Sequence, residues 1–257
     1  MIYITGDTHN IEDMSNLSTD YLKWCCFVQN ADYHDISYAI VLGDFGLPWF
    51  SCPVDENGIH PVEKTDRYLL KWYNNKPFKV LAVQGNHDNY DMIEKLPEVE
   101  MFGSTVLKVS ENVFYLKRGE VYDIEEKRFL VLGGALSEDK MYRKIHESWW
   151  PQEQWSEEEE ADCLEKIRTL GEIEGGQIDY VLSHTGPTKG IVLADSYYSN
   201  EEHQKELLKD STVAFNDKID SMISYKKWFF GHWHSDWDYV NHAISKYVPL
   251  YRNGVVL

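Results

Sequence analysis

Short apolar runs that stop at small or polar residues recur along the chain: Ile2 to Thr5, Tyr38 to Leu42, Lys79 to Gln84, Phe129 to Leu132, Tyr180 to Ser183 and Trp228 to Phe230. Their hydrophobicity is continuous rather than alternating, which predicts strands covered on both faces, as in a sheet flanked by helices. Between them the pattern turns helical over Thr19 to Val28, Val62 to Tyr73, Glu157 to Leu170, Glu201 to Lys209 and Asp217 to Ser224. Ser156 and Glu159 have capping-box spacing, and the acidic run Glu157 to Glu160 suits the positive end of a helix dipole. That run therefore reads as a helix start on a solvated face. From Thr105 to Ile124 alternation takes over, in Val106 to Val109, Val113 to Leu116 and Val121 to Ile124. These segments predict antiparallel strands joined by short turns, in a mixed sheet or a second sheet packed on the first. Trp237 to Leu257 also reads as strand-rich. No repeat, low-complexity tract or linker divides the chain, so residues 1–257 are expected to form one α/β domain.

Composition narrows the class. Hydrophobic residues make up 43% and charged ones 26% of the 257 positions, which excludes collagen-like, coiled-coil and broadly disordered readings. No apolar run approaches the roughly 18 to 20 residues that span a bilayer. The first residues enter a strand-like run with no basic segment ahead of them, so a cytoplasmic protein is expected. Basic residues number 25 and acidic ones 43, a net charge of −18. Such a field opposes binding to long nucleic acid or an anionic membrane, while leaving room for a small, nucleotide-derived substrate. Cys25, Cys26, Cys52 and Cys163 form no C-x-x-C pair and read as small buried side chains in a reducing compartment. Nothing in the sequence fixes an oligomeric state.

The chemistry lies where the strand-like runs end. The first ends in Gly6-Asp7-Thr8-His9, the second in Gly43-Asp44, the third in Gly85-Asn86-His87-Asp88, the fifth in His184 and the sixth in Gly231-His232-Trp233-His234. In open α/β sheets the carboxyl ends of the strands gather at one edge, where ligands bind, so all five clusters are expected to converge. Their N/O donors without sulfur suit manganese, iron, zinc, cobalt or nickel. In extended backbone Asp7 and His9 would face one side, as would His232 and His234, and the preceding glycines would let the chain turn off the strand ends.

In this pattern the chain resembles the calcineurin-like metallophosphoesterases, whose motifs D-x-H, G-D, G-N-H-D/E, His and G-H-x-H occur here in order from residue 6 to residue 234. The resemblance implies a two-sheet α/β sandwich with a dinuclear divalent-metal centre, manganese first among the candidates, that hydrolyses phosphate esters. Asp7, His9 and His234 would hold one ion and Asn86, His184 and His232 the other, with Asp44 bridging. Two such ions would activate a water and stabilise an in-line displacement. His87 would face the substrate phosphate beside Asn86 and protonate the leaving oxygen. Asp88 is expected either to orient His87 and raise its pKa, or to be a plain turn carboxylate.

Departures from the family's better-known branches narrow this further. Leu47 stands where purple acid phosphatases carry a tyrosine. Asp44 leads into Phe45-Gly46-Leu47-Pro48 and not into the Asp-Arg-Gly of the Ser/Thr protein phosphatases. The chain looks like a bacterial or phage-type member, with a phosphodiester favoured over a phosphomonoester and a non-catalytic scaffold of the same fold as the competing class. Two segments are candidates for substrate choice. One begins at Ser137 within residues 137–176, with Arg143 as a candidate phosphate-binding residue and Trp149-Trp150 either stacking a ring or filling the core. The other is Pro48 to Pro61, with Trp49 and Phe50.

Overall fold

The computed structural model of the chain describes residues 1–257 other than 56, 173, 174 and 238. Its strands, in chain order, are β1 (Ile2–Thr5), β2 (Tyr38–Val41), β3 (Val54–Asp55), β4 (Gly58–Ile59), β5 (Lys79–Ala82), β6 (Glu98–Met101), β7 (Ser104–Lys108), β8 (Val113–Leu116), β9 (Val121–Ile124), β10 (Lys127–Leu132), β11 (Tyr180–Ser183), β12 (Lys227–Phe230), β13 (Tyr247–Pro249) and β14 (Gly254–Val256). They form a seven-stranded sheet in the order β14-β1-β2-β5-β8-β7-β6, a five-stranded sheet in the order β13-β12-β11-β10-β9, and a small β3-β4 pair. The helices are α1 (Thr19–Val28), α2 (Lys64–Asn74), α3 (Tyr90–Ile93), α4 (Glu157–Gly171), α5 (Thr188–Ala194), α6 (Glu201–Leu207), α7 (Ser211–Met222) and α8 (Tyr239–Ile244).

The continuous apolar runs are explained by what lies on each face. Ile2, Ile4, Ile40, Leu81, Phe129, Val131, Leu182 and Phe229 form one buried layer between the two sheets. The alternate positions Tyr3, Ala39, Val41, Val80 and Ala82 pack outward against Leu22 and Cys25 of α1 and Leu69 and Tyr73 of α2. On the other side Leu130, Leu132, Val181, Trp228 and Phe230 meet Cys163 and Ile167 of α4 and Phe215 and Ile219 of α7. The result is a four-layer sandwich, helices over sheet over sheet over helices. Each Ile, Leu, Val or Phe of the inner layer contributes about 1.5–3 kcal/mol by leaving water.

Element ends follow their caps. Ser156 and Glu159 form the full capping box of α4. Glu63 caps α2 by accepting the Thr65 N–H, so that helix starts after the expected Val62. Asp210 caps α7, which therefore begins ahead of the expected Asp217.

Three expectations are corrected. The chain does not turn back from β8 to β9: β8 pairs with β5 and β7, whereas β9 pairs with β10 in the other sheet. Gly119 N donates to Val131 O at this crossing. The C-terminal stretch is not all strand, since α8 precedes β13. Helix α5 follows Pro187 where no helix was expected, its apolar TKGIVLA sequence carrying little helical periodicity.

The topology positions the site. β1, β2 and β5 run parallel in one sheet, and β10, β11, β12 and β13 run parallel in the other. Their carboxyl ends meet across the inner layer, where Gly134 N donates to Gln84 O at 2.8 Å.

Candidate metal centre

Each expected donor sits just past a strand end, and the structure brings them together. Asp7, His9 and His234 place one donor atom each within 4.8 Å of one another, and so do Asp7, Asp44 and His184. His234 Nε2 lies 3.3 Å from Asp7 Oδ2, His184 Nε2 3.2 Å from Asp44 Oδ1, and His9 Nε2 3.6 Å from Asp44 Oδ2. Asn86 Oδ1 is 2.8 Å from His184 Nε2. The His232 ring is 5.0 Å from that of His184, and its backbone N–H donates to Asp7.

The backbone achieves this differently from the expected extended alternation. His9, Asp44, His232 and His234 all have left-handed φ, at 44°, 47°, 65° and 46°. Single non-glycine residues in that region cost on the order of 1–3 kcal/mol each, so the surrounding fold must hold them there. The glycines serve mainly as space. A Cβ on Gly85 would lie 2.2 Å from Asp44 Oδ1, and one on Gly231 2.2 Å from Asp7 Oδ1. At Gly43, where φ is +99°, it would lie 2.2 Å from His184 Nδ1.

The donors' partners orient them. His184 Nδ1 is 2.7 Å from Leu42 O, so in the neutral ring that nitrogen carries the proton and Nε2 offers its lone pair to the cluster. His9 Nδ1 meets Asp13 Oδ2 at 3.1 Å, with the same effect. Asp13 was not singled out from the sequence, although its i+4 spacing from His9 was visible. It also accepts from Tyr251 Oη, and the Tyr251 ring stacks on His234 at 4.3 Å. Asn86 Nδ2 donates to Ser137 Oγ, which donates to the fully buried Glu153 at 2.6 Å. The 137–154 segment thus fixes the Asn86 amide with its oxygen toward His184.

Asp7 is fully buried and Asp44 is 2% exposed, and among the described residues neither pairs with a lysine or arginine. Their compensation comes from imidazoles. Burial disfavours charge on His184, but the Asp44 charge and hydrogen bond and the Asp7 charge outweigh it and raise its pKa to about 10. In the same way His9 rises to about 9 against its burial, through Asp44, Asp7 and Asp13. His232, half-buried and desolvated beside the His184 cation, falls to about 3. Asp44 is held well below the usual carboxylate range against its burial, by His184 and His9. Two buried anions, imidazole lone pairs and an amide oxygen facing one space are a donor set that divalent cations fit.

The remaining expected residues divide. His87 stands at the rim, its backbone N–H donating to Asp44 Oδ1 at 2.8 Å. Arg143 reaches it: Nη2 is 3.5 Å from His87 Nε2, while Nε binds Asp139 at 2.6 Å and Nη1 donates to Ser148 O. Asp88 does not orient His87. Its oxygens accept from Gly46 N, Gly85 N and Tyr115 Oη, so it braces the backbone of two donor loops from beneath. Burial, with the Asp44 charge, raises the Asp88 pKa to about 7. The His87 pKa is lowered, by burial with Arg143 adding, where Asp88 had been expected to raise it. Trp150 is fully buried and packs edge-on against Trp49 at 5.4 Å, so it fills the core and is no stacking surface.

Fold and donor set together define a candidate divalent-metal site at the strand ends of an α/β sandwich. Residues 1–236 match the calcineurin-like phosphoesterases, and the chain belongs to that family. Its members carry out metal-dependent phosphoester hydrolysis on small substrates. No match was found among curated proteins. Among the described residues no helix is long and apolar enough to cross a membrane.

Proposed function

We propose that this chain is a dinuclear metal-dependent hydrolase of a small phosphoester, a diester in preference to a monoester. The observation that carries the reading is the pair of buried carboxylates, Asp7 and Asp44, whose ion-pair partners among the described residues are imidazoles. Asp7, His9 and His234 would hold one ion, Asn86, His184 and His232 the other, and Asp44 would offer an oxygen to each. Manganese is the first candidate, with iron, zinc, cobalt and nickel suited to the same donors. Such ions, when bound, lower the pKa of a water toward neutrality and neutralise phosphoryl charge.

His87 would hydrogen-bond the substrate phosphate and give a proton to the leaving oxygen. Arg143, held by Asp139 and the Ser148 carbonyl, presents a fork suited to phosphate oxygens. The diester preference is supported by two openings that meet at His87. One cavity is lined by His9, Trp49, Phe50 and Arg143, and the other by Asn86, Glu138, Asp139, His232, Trp233 and His234. A diester has two substituents to place, a monoester one.

Pairing of β14 with β1 joins the two ends of the chain in one sheet, which supports reading residues 1–257 as one domain with 137–176 as its substrate-choosing segment. The −18 charge favours a small substrate over long nucleic acid, and a cytoplasmic setting accords with cysteines that form no C-x-x-C pair. The test is turnover of a nitrophenyl diester and the matching monoester by protein loaded with manganese, before and after chelation. Faster, chelator-sensitive diester hydrolysis is expected. Faster monoester hydrolysis would reverse the preference, and absence of any hydrolysis with both ions bound would favour the scaffold class.

A further inference from the structure

The cavity on the Trp49 side has walls unlike those of the metal cluster beside it. Its volume is about 510 Å³, within the roughly 300–1,000 Å³ of small-ligand sites. His9, His87 and Arg143 form its inner end, and Trp49, Phe50 and Ile11 give it an apolar side. Phe50 and Ile11 are 54% and 52% exposed. A phosphate held at His87 and Arg143 would direct one substituent into this space.

The aromatic wall is held firmly in place. Asp66 of α2, fully buried, accepts three consecutive backbone N–H groups with one oxygen: Trp49 at 3.2 Å, Phe50 at 2.8 Å and Ser51 at 2.9 Å. Asn89 Nδ2 donates to Trp49 O at 2.8 Å, and the Trp49 ring rests on Trp150. A half-exposed phenylalanine on a loop pinned in this way forgoes burial, which a ligand can supply, and its wall is already ordered before the ligand arrives. Polar groups at the same cavity accept hydrogen bonds. Asn10 gives one of its two amide N–H groups to Gly46 O and keeps Oδ1 as an acceptor, and Glu12 adds a carboxylate. Aromatic faces beside acceptors suit a flat ring that carries N–H donors, which neither an alkyl chain nor a sugar supplies.

We propose that this cavity is a ring-binding subsite, so that the substrate is a phosphoester of the nucleoside class. Its phosphate would lie at His87 and Arg143 and its heterocycle against Trp49 and Phe50. Asp66 is then a positioning residue for that wall. The inference rests on the phosphoesterase reading for the location of the phosphate.

The experiment is equilibrium dialysis of the manganese-loaded protein against adenosine 5′-monophosphate and against ribose 5-phosphate, which lacks the base. The nucleotide should bind about tenfold tighter, a difference of about 1.4 kcal/mol. In Phe50→Ala, a change at an exposed side chain, that ratio should fall to within about twofold to threefold. Equal affinities in the wild type, no measurable nucleotide binding, or an advantage that survives both Phe50→Ala and Trp49→Ala would each overturn the subsite. Diester turnover measured in parallel separates the two proposals. Turnover with equal affinities removes the subsite alone, and selective nucleotide binding without turnover removes the hydrolase reading alone.

Discussion

Asp44 and Asp220 are both buried carboxylates, 2% and 8% exposed, and the protein treats them in opposite ways. Asp220 on α7 accepts from the hydroxyls of Tyr225 and Tyr247 and from Lys189 and Lys246, at 2.9 Å and 3.1 Å for the two ammonium groups. Each of these donors keeps its proton at neutral pH, so the charge is answered within the fold. Asp44, with Asp7 beside it, is answered by imidazoles, whose ring nitrogens can exchange a proton for a metal ion. The same residue type thus builds structure where its partners are permanent donors and builds a cation site where they are exchangeable ones. Neither the identity nor the burial of an aspartate distinguishes the two cases, only its partners.

The largest expected effect removes the charge at the cation site. Asp44→Asn keeps the shape but gives up the anion placed to face both ions. Elemental analysis should show both metals reduced, and diester turnover should fall on the order of 10³-fold or more. Full metal content in Asp44→Asn would remove the contrast. Next is His87→Asn, which should keep both metals and lose roughly 10²–10⁴ in kcat. The loss should be smaller for a nitrophenol leaving group than for an alkoxide. Metal loss, or equal losses for both leaving groups, would rule out proton donation.

At the structural site the readout is stability. The hydrogen bonds from Tyr225, Lys189, Lys246 and Tyr247 overcome the cost of burial and depress the Asp220 pKa from 3.8 to about 2. A depressed carboxylate stabilises the fold fully above its unfolded pKa and loses that contribution as pH falls through its folded one. Asp220→Asn should therefore cost about 2 kcal/mol near pH 7, somewhat discounted because both lysines are partly in solvent. The difference from wild type should shrink between about pH 4 and pH 2, as read by denaturant midpoints. A difference that stays constant through that window would show the cost to be one of packing and not of charge.

How much of this was legible beforehand follows the same division. Strand positions and donor residues could be read because each run of Ile, Val or Leu ends at Gly, Asp, Asn or His, and topology does the rest. What held the donors was not legible. The left-handed turns at His9, Asp44, His232 and His234 leave no periodic signature. The space required at Gly85 and Gly231 depends on carboxylates far away in sequence. The Glu153–Ser137–Asn86 relay joins residues with no spacing rule between them. Asp88 shows the same limit: adjacency to His87 in the chain suggested a partner, but its oxygens turn to Gly46, Gly85 and Tyr115 instead.

The smallest effect tests the guanidinium beside His87. Arg143 touches His87 but pairs with Asp139, and among the described residues Asp7 and Asp44 have no lysine or arginine partner. Were it there to neutralise those carboxylates it would bind them; placed as it is, it can meet an incoming phosphate. Charge-assisted hydrogen bonds contribute about 1.5–3 kcal/mol, reduced here because Asp139 shares the guanidinium. Arg143→Ala should thus raise KM about tenfold, with a fall in kcat as well only if the fork meets charge that develops during displacement. Lys144, largely exposed and paired with Glu147, is the control, and Lys144→Ala should change neither constant. If Arg143→Ala leaves both within about twofold, a change of about 0.4 kcal/mol, the arginine serves only to tie Asp139 to the Ser148 carbonyl. Phosphate recognition then falls to His87 and the metal donors alone.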